Sequence, residues 1–232
     1  MAIKLGINYE LFNIDKKETI IFLHGWGSNK EIMKIFKDNF DEYKLLFIDM
    51  PGFGKSYTDE IWTTQKYAKY IDKFLKELNI DKFCIVGHSF GGKVATLLNP
   101  KYLILLSSAG IIQEKSFKTK FKIKLFKALK PFGGTKIRKL FVSDDAKEMP
   151  QNMYETFKNV VDEDFSSNFK DYRGKAIVFG GDKDSAVTPQ SNQKISELLN
   201  SKLIMLNGDH YFFLDKNNLK QISKEIKLLL KG

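Results

Sequence analysis

Residues Lys82–Leu98 read KFCIVGHSFGGKVATLL, and this stretch decides the fold. Its first part, Lys82–Val86, is a short apolar run with β-branched Ile85 and Val86, the composition of a buried parallel strand. Gly87-His88-Ser89-Phe90-Gly91 follows, and Phe90–Leu98 then supports a helix closed by Asn99-Pro100. A serine between a strand and a helix, with glycine two residues before and two after it, has the spacing of a nucleophile elbow. The turn is sharp, and only glycines let the crossing chains approach. A bare Gly-x-Ser-x-Gly match is common by chance, and its bland reading is a turn without chemistry. The strand before it and the helix after it answer that objection and nominate Ser89 as a nucleophile.

Such a serine needs a base and an acid, and the chain holds three histidines. His88 lies inside the elbow, with its side chain directed away from that of Ser89. His24 opens His24-Gly25-Trp26-Gly27 after the apolar run Thr19–Leu23. Only His210 follows both the serine and a candidate acid, on a loop after the strand-like run Leu203–Leu206. For the acid, Asp182 and Asp184 compete after the strand Ala176–Phe179. Asp184 stands three residues after Gly181 and before Val187 and Pro189, and it is the assigned acid. Asp182 reads as a turn residue bonding its own backbone. The order Ser89, Asp184, His210 is that of one triad architecture and no other. The backbone N–H groups of Trp26 and Phe90 are the expected oxyanion donors, with Gly25 and Gly27 allowing close approach to a carbonyl.

Outward from the motif, strand-like and helical runs alternate. A hairpin within Ile3–Ile14 turns near Gly6, and strands Thr19–Leu23 and Lys44–Asp49 flank a helix within Asn29–Phe40. An amphipathic helix spans about Thr64 to Leu78, with Tyr67, Ile71, Phe74, Leu75 and Leu78 on one face. Strands at Tyr102–Leu106, Ala176–Phe179 and Lys202–Leu206 and a C-terminal helix carrying Leu219, Ile222, Ile226, Leu229 and Leu230 complete the series. This pattern predicts a doubly wound, mostly parallel α/β sheet with ligands at the C-terminal strand ends. Asp49-Met50-Pro51-Gly52-Phe53-Gly54 sits at one such end, with Asp49 expected to serve the turn or backbone rather than catalysis.

The alternation breaks between the Tyr102 and Ala176 strands. Residues 1–110 and 171–232 read as the core, and 111–170 as a helical lid inserted into it. Between Glu114 and Val142 lie nine lysines and one arginine against one glutamate, net +9 of the chain's +10. Phe117, Phe121, Leu125 and Leu129 form a helical stripe within that block. The plain reading is a lid packing its aromatic face inward and solvating its lysines. So one-sided a cluster also favours an acidic partner.

At 232 residues the chain fits one α/β domain with an insertion. Met1–Glu10 has no secretory h-region, no apolar stretch reaches membrane-spanning length, and the lone Cys84 forms no internal disulfide. A cytoplasmic protein without metal, organic cofactor, nucleic-acid partner or integral membrane segment is the expectation.

The combined motifs His24–Gly27, Asp49–Gly54 and Gly87–Gly92 resemble the α/β-hydrolase superfamily over nearly the whole chain, and look most like its small bacterial carboxylesterases. Among these the chain is similar to the acyl-carrier-protein methyl ester esterases. The resemblance implies hydrolysis of a carboxylic ester through an acyl-enzyme. It also implies a basic lid that docks an acidic acyl carrier protein, for which Lys118, Lys122, Lys124 and Arg138 are the candidate contacts. This block is richer in lysine and poorer in arginine than the resemblance leads one to expect. The same motifs occur in meta-cleavage-product hydrolases, peptidases and lactonases, so carbon–carbon bond hydrolysis stays open. A binding protein that has lost catalysis is a reading from another class, against which an intact triad argues. A lipase on anionic lipid is a further one, disfavoured because lysines interrupt the stripe and Pro131 follows it.

Overall fold

The computed structural model describes residues 2–112 and 149–231. Among the described residues eight strands form one sheet in the order β1-β2-β4-β3-β5-β6-β7-β8. They are β1 (Ala2–Lys4), β2 (Ile7–Phe12), β3 (Thr19–Leu23), β4 (Lys44–Ile48), β5 (Cys84–His88), β6 (Tyr102–Leu106), β7 (Lys175–Gly181) and β8 (Lys202–Leu206). The β1–β2 hairpin and the β2–β4 pair are antiparallel, and every pairing from β4 through β3 to β8 is parallel. The α/β-hydrolase fold expected from the motifs is therefore present, and β5, the strand that leads to Ser89, lies near its centre.

Both faces of the sheet are covered, which is why the central strands read as continuous apolar runs. On one face Ile21, Leu23, Ile85, Leu103 and Leu105 pack beneath α2 (Thr64–Glu77), α3 (Phe90–Leu98) and α6 (Pro189–Leu198). Also against this face stand α4 (Gln151–Val160) and α5 (Ser166–Asp171), through Met153, Val160 and Phe169. On the other face Ile20, Phe22, Val86, Ile104 and Leu106 meet α7 (Lys216–Lys231) through Ile222, Ile226 and Leu230. Alternation along each strand thus feeds two separate cores.

Boundaries moved in instructive places. The helix expected within Asn29–Phe40 is one α-turn, α1 (Lys30–Met33), capped by the Asn29 side chain, which continues as a 3₁₀ helix over Lys34–Asn39. β5 begins two residues later than the apolar run suggested and extends to His88, so the strand delivers Ser89 directly into α3. The C-terminus of α3 is the left-handed Asn99 at φ +50°, ahead of Pro100. Of the expected insertion 111–170 only the ends are described, and they contain α4 and α5 and no strand. Lys118, Lys122, Lys124 and Arg138 lie outside the described residues.

Candidate active site

The parallel register brings the ends of β3, β5, β7 and β8 to one edge of the sheet, and each carries one part of the site. Ser89 follows β5 at φ +51° and ψ −115°, a backbone conformation L-residues avoid. The adjoining glycines show why the turn closes. A Cβ on Gly87 would stand 2.6 Å from the Gly91 carbonyl oxygen, and one on Gly91 2.4 Å from that of Leu23. Ser89 occupies the N-cap position of α3, where a serine ordinarily accepts a bond from the helix amides; here its side chain makes no cap bond. Its hydroxyl is not spent on structure.

His210 donates from Nδ1 to Asp184 Oδ2 at 2.8 Å. The Asp184 side chain is fully buried, and that of His210 is 18 % exposed. Burial alone would raise the Asp184 carboxyl. The His210 bond and the Val187 amide outweigh it and hold the group below the ordinary carboxylate range. Its second oxygen accepts from the amides of Ala186 at 2.8 Å and Val187 at 2.9 Å, so the carboxylate cannot rotate away. Of the two competing aspartates, Asp184 is therefore the one in contact with the imidazole. Asp182 does not bond its own backbone. Its Oδ1 accepts from the Gly208 amide at 2.9 Å and ties the β7 loop to the loop that carries His210. The Lys183 amide adds a bond to the Gly208 carbonyl at 2.9 Å.

Trp26 lies in the loop after β3. Its ring lies edge-on to Phe53 at 4.8 Å and Phe90 at 5.5 Å and is tilted against Phe157 of α4 at 5.3 Å. A Cβ added at Gly25 would come within 3.2 Å of Ser89 Cβ, so this loop passes directly beside the serine. Among the described residues, neither the Trp26 amide nor the Phe90 amide is given to a protein acceptor.

His24 and His88 are fully buried and structural in their bonding. His24 donates from Nδ1 to the Gly25 carbonyl at 2.7 Å and accepts at Nε2 from the Met50 amide at 3.0 Å, linking the β3 and β4 loops. Burial pushes it down to about 4 and His88 down to about 3, so both rings are neutral. Asp49 is structural, as expected, and accepts from the amides of Lys30 at 2.8 Å and Lys55 at 3.0 Å. It also pairs with the buried Lys30 ammonium at 3.0 Å, which in turn reaches Asn8 Oδ1 at 2.6 Å. The sequence reading missed Lys30. The signal was the polar pair Asn8 and Glu10 in the otherwise apolar strand β2.

It also missed Lys93, four residues after Ser89 and 1 % exposed. Its ammonium donates to the Val160 carbonyl and pairs with Glu163 at 2.9 Å, above the ring of Phe165 at 5.1 Å. Glu163 also accepts from the Thr64 hydroxyl, so α2, α3 and the α4–α5 segment meet at one carboxylate. Among the described residues no cluster of histidine, cysteine and carboxylates could hold a metal. None of the described helices is long and apolar enough to cross a membrane.

With this geometry in view, relatives can be compared. Residues 18–109, from β3 to just beyond β6, match the model of a family described as alpha/beta hydrolase fold. An uncharacterized hydrolase, YugF, of Bacillus subtilis is 29% identical over 122 residues, covering 47% of this chain and 44% of that protein. A 2-hydroxy-6-oxo-6-(2'-aminophenyl)hexa-2,4-dienoic acid hydrolase of Metapseudomonas resinovorans is 28% identical over 123 residues, covering 47% and 42%. The match thus spans less than half the length of these curated relatives. The solved esterase EaEST of Exiguobacterium antarcticum superposes with a TM-score of 0.74 at 19% identity, over 97% of this chain and 96% of that one. Sheet order, matched segment and whole-chain superposition agree on the α/β-hydrolase fold, with the family match confined to residues 18–109.

Proposed function

We propose that the protein is a serine hydrolase of carboxylic esters, working through Ser89, His210 and Asp184. The observation that carries this reading is the 2.8 Å bond from His210 to a buried, doubly amide-held Asp184, at the same sheet edge as a serine with positive φ. His210 takes the Ser89 proton as Oγ attacks the ester carbonyl carbon. The backbone amides of Trp26 and Phe90 receive the oxyanion. As the tetrahedral adduct collapses, the ester C–O bond breaks and the imidazolium returns its proton to the departing alcohol. Water then gives a proton to His210 and attacks the acyl-enzyme, releasing the acid and restoring Ser89. Asp184 keeps the imidazole in the Nδ1–H tautomer throughout. None of these steps calls on a metal or organic cofactor.

The finer reading is a methyl ester carried on an acidic acyl carrier protein in the cytoplasm, with 111–170 acting as lid. It is supported by the sequence-encoded net +9 between Glu114 and Val142 and by the motif resemblance. A second reading, carbon–carbon bond hydrolysis with the same triad, is favoured by the likeness to the dienoic acid hydrolase. A p-nitrophenyl ester chain-length series, run beside a methyl-ester acyl-carrier substrate and a meta-cleavage dienoate, separates the readings. Turnover of the dienoate alone would overturn the ester assignment. A fluorophosphonate adduct on Ser89 is expected in either case, and no adduct on an intact protein would defeat both.

A further inference from the structure

His88 sits beside Ser89 in the chain, yet its ring faces the His210 loop. Nε2 lies 3.0 Å from the His210 backbone carbonyl oxygen. A carbonyl only accepts, so Nε2 carries the hydrogen and Nδ1 is the bare lone pair. That Nδ1 is buried without a partner. A Cβ on Gly25 would lie 2.9 Å from it, which accounts for the glycine on that side. Around the ring stand His210 at 4.6 Å, Phe213 at 4.9 Å and Tyr211 at 5.3 Å.

An orphaned acceptor in the interior costs roughly 1–3 kcal/mol, so an apolar side chain of similar size would suit this pocket better on packing grounds alone. What the imidazole supplies in return is its one donor. The topology says why a donor is wanted there. Ser89 leaves β5 and His210 leaves the β8 end, and β6 and β7 stand between those strands, so no ladder bond relates the two. The His88 bond crosses that gap directly, from the residue beside the proposed nucleophile to the residue proposed as base.

We infer that His88 is a positioning residue, whose Nε2–H holds the His210 carbonyl and so fixes the His210 imidazole between Asp184 and the serine. The inference rests on the triad reading for its kinetic consequence, though not for its structural one. The carbonyl acceptor keeps the hydrogen on Nε2, and ring neutrality, enforced by burial, adds no positive charge beside His210.

The test compares His88→Leu, His88→Gln and His88→Asn with wild type. Readouts are kcat and KM on p-nitrophenyl butyrate, and the proton resonance of His210 Nδ1–H in ¹⁵N-histidine-labelled protein. Gln places its amide nitrogen where Nε2 stands, whereas Asn places it near Nδ1. Leu and Asn should lower kcat by on the order of 10²-fold with KM little changed, the loss expected when a catalytic group is displaced by about 1 Å. Both should broaden or remove the His210 resonance, and Gln should restore rate and resonance together. Tyr211→Leu, which trims the ring contact and leaves the bond, should keep both near wild type. Should the Leu variant fail to fold, the Gln–Asn pair decides. Equal behaviour of Gln and Asn, or a Tyr211→Leu loss matching theirs, would overturn the inference in favour of packing alone. If wild type turns over neither ester nor dienoate and Ser89 takes no fluorophosphonate, the triad reading falls, while the resonance in the Gln and Asn variants still decides what His88 does.

Discussion

Ser89 is held at a backbone angle that costs of order 1–3 kcal/mol for a non-glycine residue, and its hydroxyl is withheld from the helix cap that would relieve it. The surroundings over-determine this strain, through glycines at 87 and 91 whose Cβ atoms have nowhere to go. Under the proposed triad, Ser89→Ala and His210→Ala should each lower kcat by roughly 10⁴-fold or more with the fold intact, because members of such a triad act as a unit. Asp184→Asn should cost no more than those, and steady-state kinetics on one p-nitrophenyl ester checks all three. Asp182→Asn should cost far less, since its carboxylate holds the Gly208 amide and not the imidazole. If Asp182→Asn proves the more damaging of the two aspartate changes, the acid assignment is wrong. The pairing of His210 with Asp184 was legible in the sequence because motif order and a count of three histidines leave few alternatives. What Asp182 bonds was not legible, because its partner, Gly208, comes from a different strand end.

At the scale of elements, the strand-end loops are tied by buried polar groups that periodicity does not reveal. The parallel strands announced themselves as apolar runs. Lys30 and Lys93 look like any other surface lysines until the fold supplies Asp49 and Glu163 from elsewhere in the chain. Lys93 is the more consequential for the candidate site, because it fastens α3, the helix that follows Ser89, to the segment that sets Phe157 on Trp26. Its desolvation holds the ammonium below the ordinary lysine value and is only partly offset by Glu163, with the Val160 carbonyl and two aromatic faces beside it. Lys93→Met keeps the stem and leaves the Val160 carbonyl without that donor, a loss of about 2 kcal/mol. For a chain of this length that corresponds to a Tm lower by roughly 4–8 °C. Glu163→Gln added to Lys93→Met should recover part of it, since the carboxylate no longer lacks its cation. Thermal melts of the single and double variants read the coupling, and strict additivity would show that the pair is not a unit.

For the whole molecule, two charge effects are expected, one from each end of the pH and salt scales. His24 and His88 are buried neutral, at about 4 and about 3 against 6.5 for a free ring. Both folded values are depressed, so the unfolded chain takes up protons that the native rings refuse. Their contribution is fully present above about pH 6.5 and is lost as pH falls toward 4, by up to ~1.4 kcal/mol per pH unit for each ring. Urea midpoints measured between pH 7 and 4.5 should fall accordingly, and His88→Gln should flatten the slope by about one ring's share. The salt effect comes from the sequence-encoded net +9 between Glu114 and Val142. If the substrate rides on an acidic carrier, that charge attracts it over a Debye length of about 10 Å at 0.1 M salt. Turnover of the carrier-linked ester should then fall steeply with added salt, chiefly in kcat/KM, while p-nitrophenyl esters respond little. Replacing Lys118, Lys122 and Lys124 together by glutamate should reproduce the loss for the carrier substrate alone. Equal loss on both substrates, or none on either, would assign the lysines to solubility and leave a general small-ester hydrolase.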